Sequence, residues 1–240
     1  QTVMKAILKT LLVCLVFSQL QAQKTFEKTI DFNSEKILAE FKFADDIEVK
    51  TWNKKQVYIK AEVDINGDEY TDYFSLKVDN SSSVLQIESD DGELFDLWKG
   101  EKGSNKKNNW DPCNNLNIDA KYTVYVPANS SFRIKSISGN VTSQDFNGQL
   151  QVDIISGNID IKNYNGNLEL KTVSGDIDIN IAKSRLKAET VTGMIYSDKE
   201  MEFDQGKNRI VGSKVTGSFG DVKNDLELKT VSGDIFIRKQ

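Results

Sequence analysis

The chain has 240 residues, with 31 Lys and Arg against 36 Asp and Glu and no His. A net charge of −5 argues against nucleic-acid binding, which needs a basic face. Without His, Ser-His-Asp and Cys-His catalysis and imidazole metal ligation are excluded, leaving carboxylate, Lys or Tyr chemistry, or none.

Taken from the N-terminus, Lys5 and Lys9 precede the apolar run Leu11–Phe17, and Ser18 to Ala22 form a small and polar approach to a cut site. This is the layout of a secretory signal peptide over 1–22, cleaved after Ala22. The run is well short of the ~20 apolar residues that a membrane-spanning helix needs. Cys14 follows Leu11-Leu12-Val13, which lacks the small residue a lipobox carries before its Cys. With Cys14 removed, Cys113 has no partner for an internal disulfide.

Residues 23–116 read as an irregular β region. Alternation predicts strands over 25–32, 37–41, 47–51, 57–63, 74–78 and 84–88, with a turn at Asn66-Gly67-Asp68. A polar loop follows over 90–115 and carries Trp98 and Trp110. An exposed Trp can stack on a sugar or anchor a partner, and it can equally fold back over the end of a β core. A strand resumes over 117–126, and Pro127-Ala128-Asn129 turns the chain into a regular repeat.

The repeat spans 117–240. Ser138-Gly139-Asn140-Val141 recurs as Ser156-Gly157-Asn158-Ile159, Ser174-Gly175-Asp176-Ile177 and Thr192-Gly193-Met194-Ile195, each 18 residues on. Thr216-Gly217-Ser218-Phe219 and Ser232-Gly233-Asp234-Ile235 follow at irregular spacing. Gly148-Gln149-Leu150 and Gly166-Asn167-Leu168 interleave, so each period holds two short strands. An 18-residue unit cannot bury its own apolar face, and stacking successive units in parallel solves that. A hairpin-rich sandwich would not explain a constant period. Stacking at 18 residues places Asp153, Lys171 and Glu189 in one column of alternating charge, in which Lys171→Glu would set three acids side by side. It also places Asp160 beside Asp178. Gly193 to Gly217 is six residues too long, so 196–213 must bulge or form a hairpin, with Gln205-Gly206-Lys207-Asn208 as its turn.

The stacked Ser138, Ser156, Ser174 and Ser232 lack a base to activate them and read as corner residues. Asn80, Asn129 and Asn140 lie in glycosylation-type triplets that turn chemistry already explains. Asp160 and Asp178, with corner oxygens and water, are the one candidate metal site, a weak calcium site. Lys162 on the next outward position offers the plainer neutralisation.

The runs Tyr122–Pro127, Phe132–Val141, Thr172–Ile177 and Thr230–Ile235 resemble the bacterial "putative adhesin" β-strand-repeat family of exported proteins. The resemblance implies an all-β, right-handed parallel β-solenoid, or β-helix-like fold, and no functional residue follows from it. The expected function is a non-enzymatic exported envelope or surface protein, in the periplasm, on the outer surface or secreted. It is expected to present loops to a cell-surface or glycan partner, with no cofactor and no nucleic acid. The alternatives are a carbohydrate-active β-helix enzyme, a polysaccharide lyase or hydrolase, and a calcium-dependent binding module.

Overall fold

A computed structural model describes residues 23–33, 36–81, 83–94, 116–181, 183–198, 203–205 and 212–239. The expected leader, Trp98, Trp110 and Cys113 lie outside the described residues. In chain order the strands are β1 (Lys24–Asp31), β2 (Lys36–Phe41), β3 (Asp46–Trp52), β4 (Gln56–Ile65), β5 (Ser75–Asp79) and β6 (Val84–Asp90). They continue as β7 (Ile118–Pro127), β8 (Ser130–Ser138), β9 (Asn140–Ser156), β10 (Ile159–Asn165), β11 (Leu168–Ser174) and β12 (Ile177–Ile181). The last six are β13 (Ser184–Thr190), β14 (Ile195–Ser197), β15 (Phe203–Gln205), β16 (Ser213–Phe219), β17 (Asn224–Ser232) and β18 (Ile235–Lys239).

Alternation turns every second side chain inward. Val141, Ile159, Ile177 and Ile235 line one inner face, and Leu150, Leu168, Leu226 and Leu186 the other, none more than 2% exposed. Burying each such side chain contributes roughly 1.5–3 kcal/mol. The result is all-β and solenoid-like, with two sheets packed over one apolar core. The first sheet runs β1-β4-β7-β3, then the start of β9, then β10-β12-β18-β14. The second runs β5-β6-β2-β8, then the end of β9, then β11-β17-β13-β16-β15.

Residue n lies beside n+18 where the repeat is strict. Ile159 pairs with both Val141 and Ile177, and Leu168 with Leu150, all in parallel. Beyond β11 and β12 the neighbour is a different coil. The chain's last coil, β17–β18, lies between β11–β12 and β13–β14. The first coil, β2–β3, is inserted in the same way between β6–β7 and β8–β9. Both chain-terminal coils are therefore second from an end in space.

This corrects three expectations. Lys171 and Glu189 share a row but are not neighbours, because Lys229 stands between them. Lys171→Glu therefore does not create three adjacent acids. Thr216–Phe219 is also not a corner, since Gly217 sits mid-strand opposite Leu186 in the antiparallel β13–β16 pair. The predicted hairpin is present as β15–β16; its turn residues Gly206, Lys207 and Asn208 lie outside the described residues. Antiparallel strands cover three of the four edges that would otherwise be open and parallel, β4 and β1 with β5 at one end and β16 and β15 at the other, where β14 remains the edge of the first sheet.

The Ser/Thr-Gly corners stack into a ladder. The Asn140 side-chain oxygen accepts from Asn158 N at 3.1 Å, Asn158 from Asp176 N at 2.8 Å, Asp176 from Asp234 N at 2.7 Å, and Asp234 from Met194 N at 2.8 Å. Thr172, Thr230 and Thr190 hydroxyls donate to the Gly157, Gly175 and Gly233 carbonyls at 2.9–3.0 Å. The corner Asn, Asp and Thr side chains thereby satisfy backbone groups that the turn removes from the strand ladder.

Candidate functional site: the outer face of the second sheet

On the outer face of the second sheet, side chains from successive strands form rows along the solenoid axis. The first is Ser131, Gln149, Asn167, Asp225, Arg185 and Ser218. The second is Arg133, Gln151, Glu169, Glu227, Lys187 and Thr216. Between them lies an open trough of about 770 Å³, floored by the backbone of the inward-pointing Leu150, Leu168, Leu226 and Leu186. It crosses six strands, a length of ~24 Å at ~4.8 Å per strand.

The third row is Glu40, Lys135, Asp153, Lys171, Lys229, Glu189 and Lys214. Beside it, against the corner ladder, stand Ile137, Ile155, Val173, Val231 and Val191. A second groove of about 600 Å³ runs between the charged row and this aliphatic ridge.

The trough's charges cancel. Arg185 reaches Asp225 at 3.3 Å, Lys187 reaches Glu227 at 3.0 Å, and Lys229 reaches Glu227 at 2.5 Å. Arg133 holds Asp153 at 2.7 Å, and Lys171 pairs with Glu169. Hydrogen bonds from Lys229 and Lys187 hold the Glu227 carboxyl well below the usual range, at about 2. A depressed carboxyl stabilises the fold above its unfolded value of 4.5 and stops doing so as pH falls toward about 2. Glu227→Gln is therefore expected to flatten the melting temperature across that window. At the protein's half-exposed surface the effect amounts to about 1 kcal/mol or less, and is read by thermal melts from pH 6 to pH 2.

Register places Asp160 beside Asp178 as the sequence predicts. Each already holds a cation: Lys162 lies 2.7 Å from Asp160, and Arg238 grips both Asp178 oxygens at 2.8 Å. Among the described residues no group of three or more acidic or Cys side chains converges on one point.

One aromatic group escaped the sequence reading. Trp52, Tyr58 and Tyr125 face outward on the first sheet, Tyr125 lying 5.1 Å from Trp52 and 5.9 Å from Tyr58 between ring centres. The Trp52 indole donates to the Gln56 carbonyl at 2.7 Å, and Lys54 sits 4.5 Å over its ring. Its signal was alternation across three strands that pair only in the folded chain.

The Toastrack DUF4097 family model matches residues 113–238. The chain belongs to the Toastrack DUF4097 family. The match covers the repeat and with it every strand of the trough. A crystal structure named "putative cell adhesion protein" from Clostridium sporogenes is 16% identical, with a TM-score of 0.55 over 90% of this chain and 99% of that one. At that identity the likeness concerns the fold. A "putative adhesin" from Bacteroides fragilis is 12% identical over 92% of this chain and 99% of that one, at a TM-score of 0.23. A "putative lipid binding protein" from Parabacteroides distasonis is 11% identical over 90% and 96%, also at 0.23. Neither of these two bears on the fold at that score. Among curated proteins none matches the chain. No helix among the described residues is long and apolar enough to cross a membrane.

Proposed function

We propose that this Toastrack chain is a non-enzymatic, exported surface or envelope protein that holds an extended, uncharged glycan along the polar trough. The observation that carries the reading is the trough's lining. Hydrogen-bonding groups repeat at the strand pitch, and their charges are already spent on one another. Gln149 and Gln151 amides and the Ser131 and Ser218 hydroxyls remain to bind, and they offer both donors and acceptors. A charged polymer would have to break the ion pairs. A polymer of hydroxyl groups, advancing about one strand spacing per sugar in an extended chain, need not. The adhesion wording attached to the Clostridium sporogenes neighbour and the leader expected over 1–22 fit the same reading.

Hydrolysis is disfavoured by the carboxylates themselves. Glu169 and Glu227 are cross-strand neighbours, but a glycosidase pair requires one carboxyl raised so that it can donate a proton. Glu227 is lowered instead, and Glu169 is held by Lys171.

Incubating the protein with a panel of labelled polysaccharides, scored for retention and for new reducing or unsaturated ends, tests this. Retention of a neutral polymer without cleavage is expected, weakened at least fivefold by the combined Gln149→Ala and Gln151→Ala changes. Cleavage products, or retention indifferent to those changes, would overturn the reading.

A further inference from the structure

The aliphatic ridge is the least expected feature of this face. Ile137, Ile155, Val173 and Val231 come one from each of four adjacent parallel strands, and Val191 directly follows the fifth, yet they are 46%, 54%, 47%, 45% and 43% exposed. A polar residue would satisfy the same corner geometry. A contiguous apolar strip of this kind marks a contact surface. Its neighbouring row of charges indicates what makes the contact.

In spatial order that row reads Glu40, Lys135, Asp153, Lys171, Lys229, Glu189, Lys214. A two-fold axis parallel to the strands and lying over β11, in the plane between the two copies, would lay the ridge on its own copy in reverse order, with Val173 on Val173, Ile155 on Val231 and Ile137 on Val191. The same operation sets Glu40 against Lys214, Lys135 against Glu189, and Asp153 against Lys229, each pair twice. Only Lys171 meets its own copy. Every member of the row is already ion-paired within its chain, Lys171 with Glu169, Lys135 with Glu40, Asp153 with Arg133, Lys229 with Glu227 and Lys214 with Glu189, so the contacts across the axis extend these pairs into networks rather than replace them. A strictly alternating row of seven would have met itself like against like. The adjacent Lys171 and Lys229 shift the phase and make the two arms complementary, and they are adjacent only because β17 is inserted beside β11.

We infer that this face is a self-association surface, and that two copies pair isologously through the Ile/Val ridge and the charged row about an axis at Val173. On the next row the two-fold opposes Arg133 to Lys187 and Glu169 to Glu169. Attraction therefore ends at the charged row, and the sheets splay apart there, leaving both polar troughs open. Seven strands and two rows span ~29 Å by ~7 Å between row centres. With side chains included, this buries on the order of 1,000 Å² in total, the low end for a specific interface, so a weak, concentration-dependent dimer is expected.

Sedimentation of the purified protein over a range of concentrations tests this. The protein should pass from monomer to dimer, and Val173→Asp should weaken pairing at least tenfold while leaving the melting temperature within a few degrees. Lys135→Glu and Glu189→Lys should each weaken self-pairing. An equimolar mixture of those two variants should pair about as well as the unaltered chain, because their charges match across the axis. That recovery on mixing is not expected from altered folding. A protein monomeric at millimolar concentration, a dimer indifferent to Val173→Asp, or a mixture no better than its components each overturns the proposal.

Discussion

Gly157→Ala is expected to destabilise the protein by about 3–5 kcal/mol, a large share of the ~5–15 kcal/mol that keeps a domain folded. A Cβ at Gly157 would lie well inside 3.0 Å of the Gly139 carbonyl oxygen and carbon, at a φ of +137° that L side chains rarely adopt. The obstruction is backbone of the coil beneath, so no side chain can swing aside. Relaxation would have to separate the strands on both sides of the corner, along with the Asn140 and Asn158 ladder bonds. Gly67→Ala is the control. Its φ is +69° and nothing lies within 4 Å, so only the left-handed penalty of about 1–2 kcal/mol applies. Urea melts of the two variants should differ clearly, and similar midpoints would contradict the ladder.

Truncation after Lys223 is expected to abolish cooperative unfolding altogether. In an array stacked in sequence order, losing the last coil trims an end, and the nearest-neighbour stability falls by one interface. Here the last coil is the spacer between β11–β12 and β13–β14. Its removal takes the only parallel partner from β13 and β14 and one of two from β11 and β12, and it opens a gap in the core where Leu226, Leu228, Ile235 and Ile237 stood, each 2% exposed or less. The shortened protein should show no sharp thermal transition and should bind a hydrophobic dye. A truncated chain that melts as sharply as the whole would show that β11 and β13 can close on each other.

The β elements were legible because alternation is a local property. Six N-terminal strands were predicted within two residues of their observed ends, and the corner role of the Ser/Thr-Gly motif follows from the same pattern. The stacking order was only partly legible. Spacing of 18 identifies neighbours while the chain winds without interruption, as from Ser130 to Ile181. It carries no information about a coil that arrives later and inserts. A signal was present in composition rather than spacing: residues 168–177 and 226–235 are the same ten residues, Leu-Glu-Leu-Lys-Thr-Val-Ser-Gly-Asp-Ile, and they pair in register. Two identical segments make equally good neighbours for the same partner, which is how the last coil can stand where the next one was expected. The trough was hidden for the same reason, since its rows are assembled from residues 131 to 227 in an order the chain does not follow. The sequence pointed instead to Trp98 and Trp110, which lie outside the described residues, and passed over Trp52.

Burying both chain-terminal coils also limits how such an array can lengthen through gene duplication. Copying a terminal unit, the simplest way to extend a repeat protein, would here deliver a coil with no exposed edge to join. Three of the four sheet ends are closed by antiparallel strands, and the β2–β3 and β17–β18 coils are already flanked on both sides. New coils can enter only where sequence order and spatial order coincide, between Ser130 and Ile181.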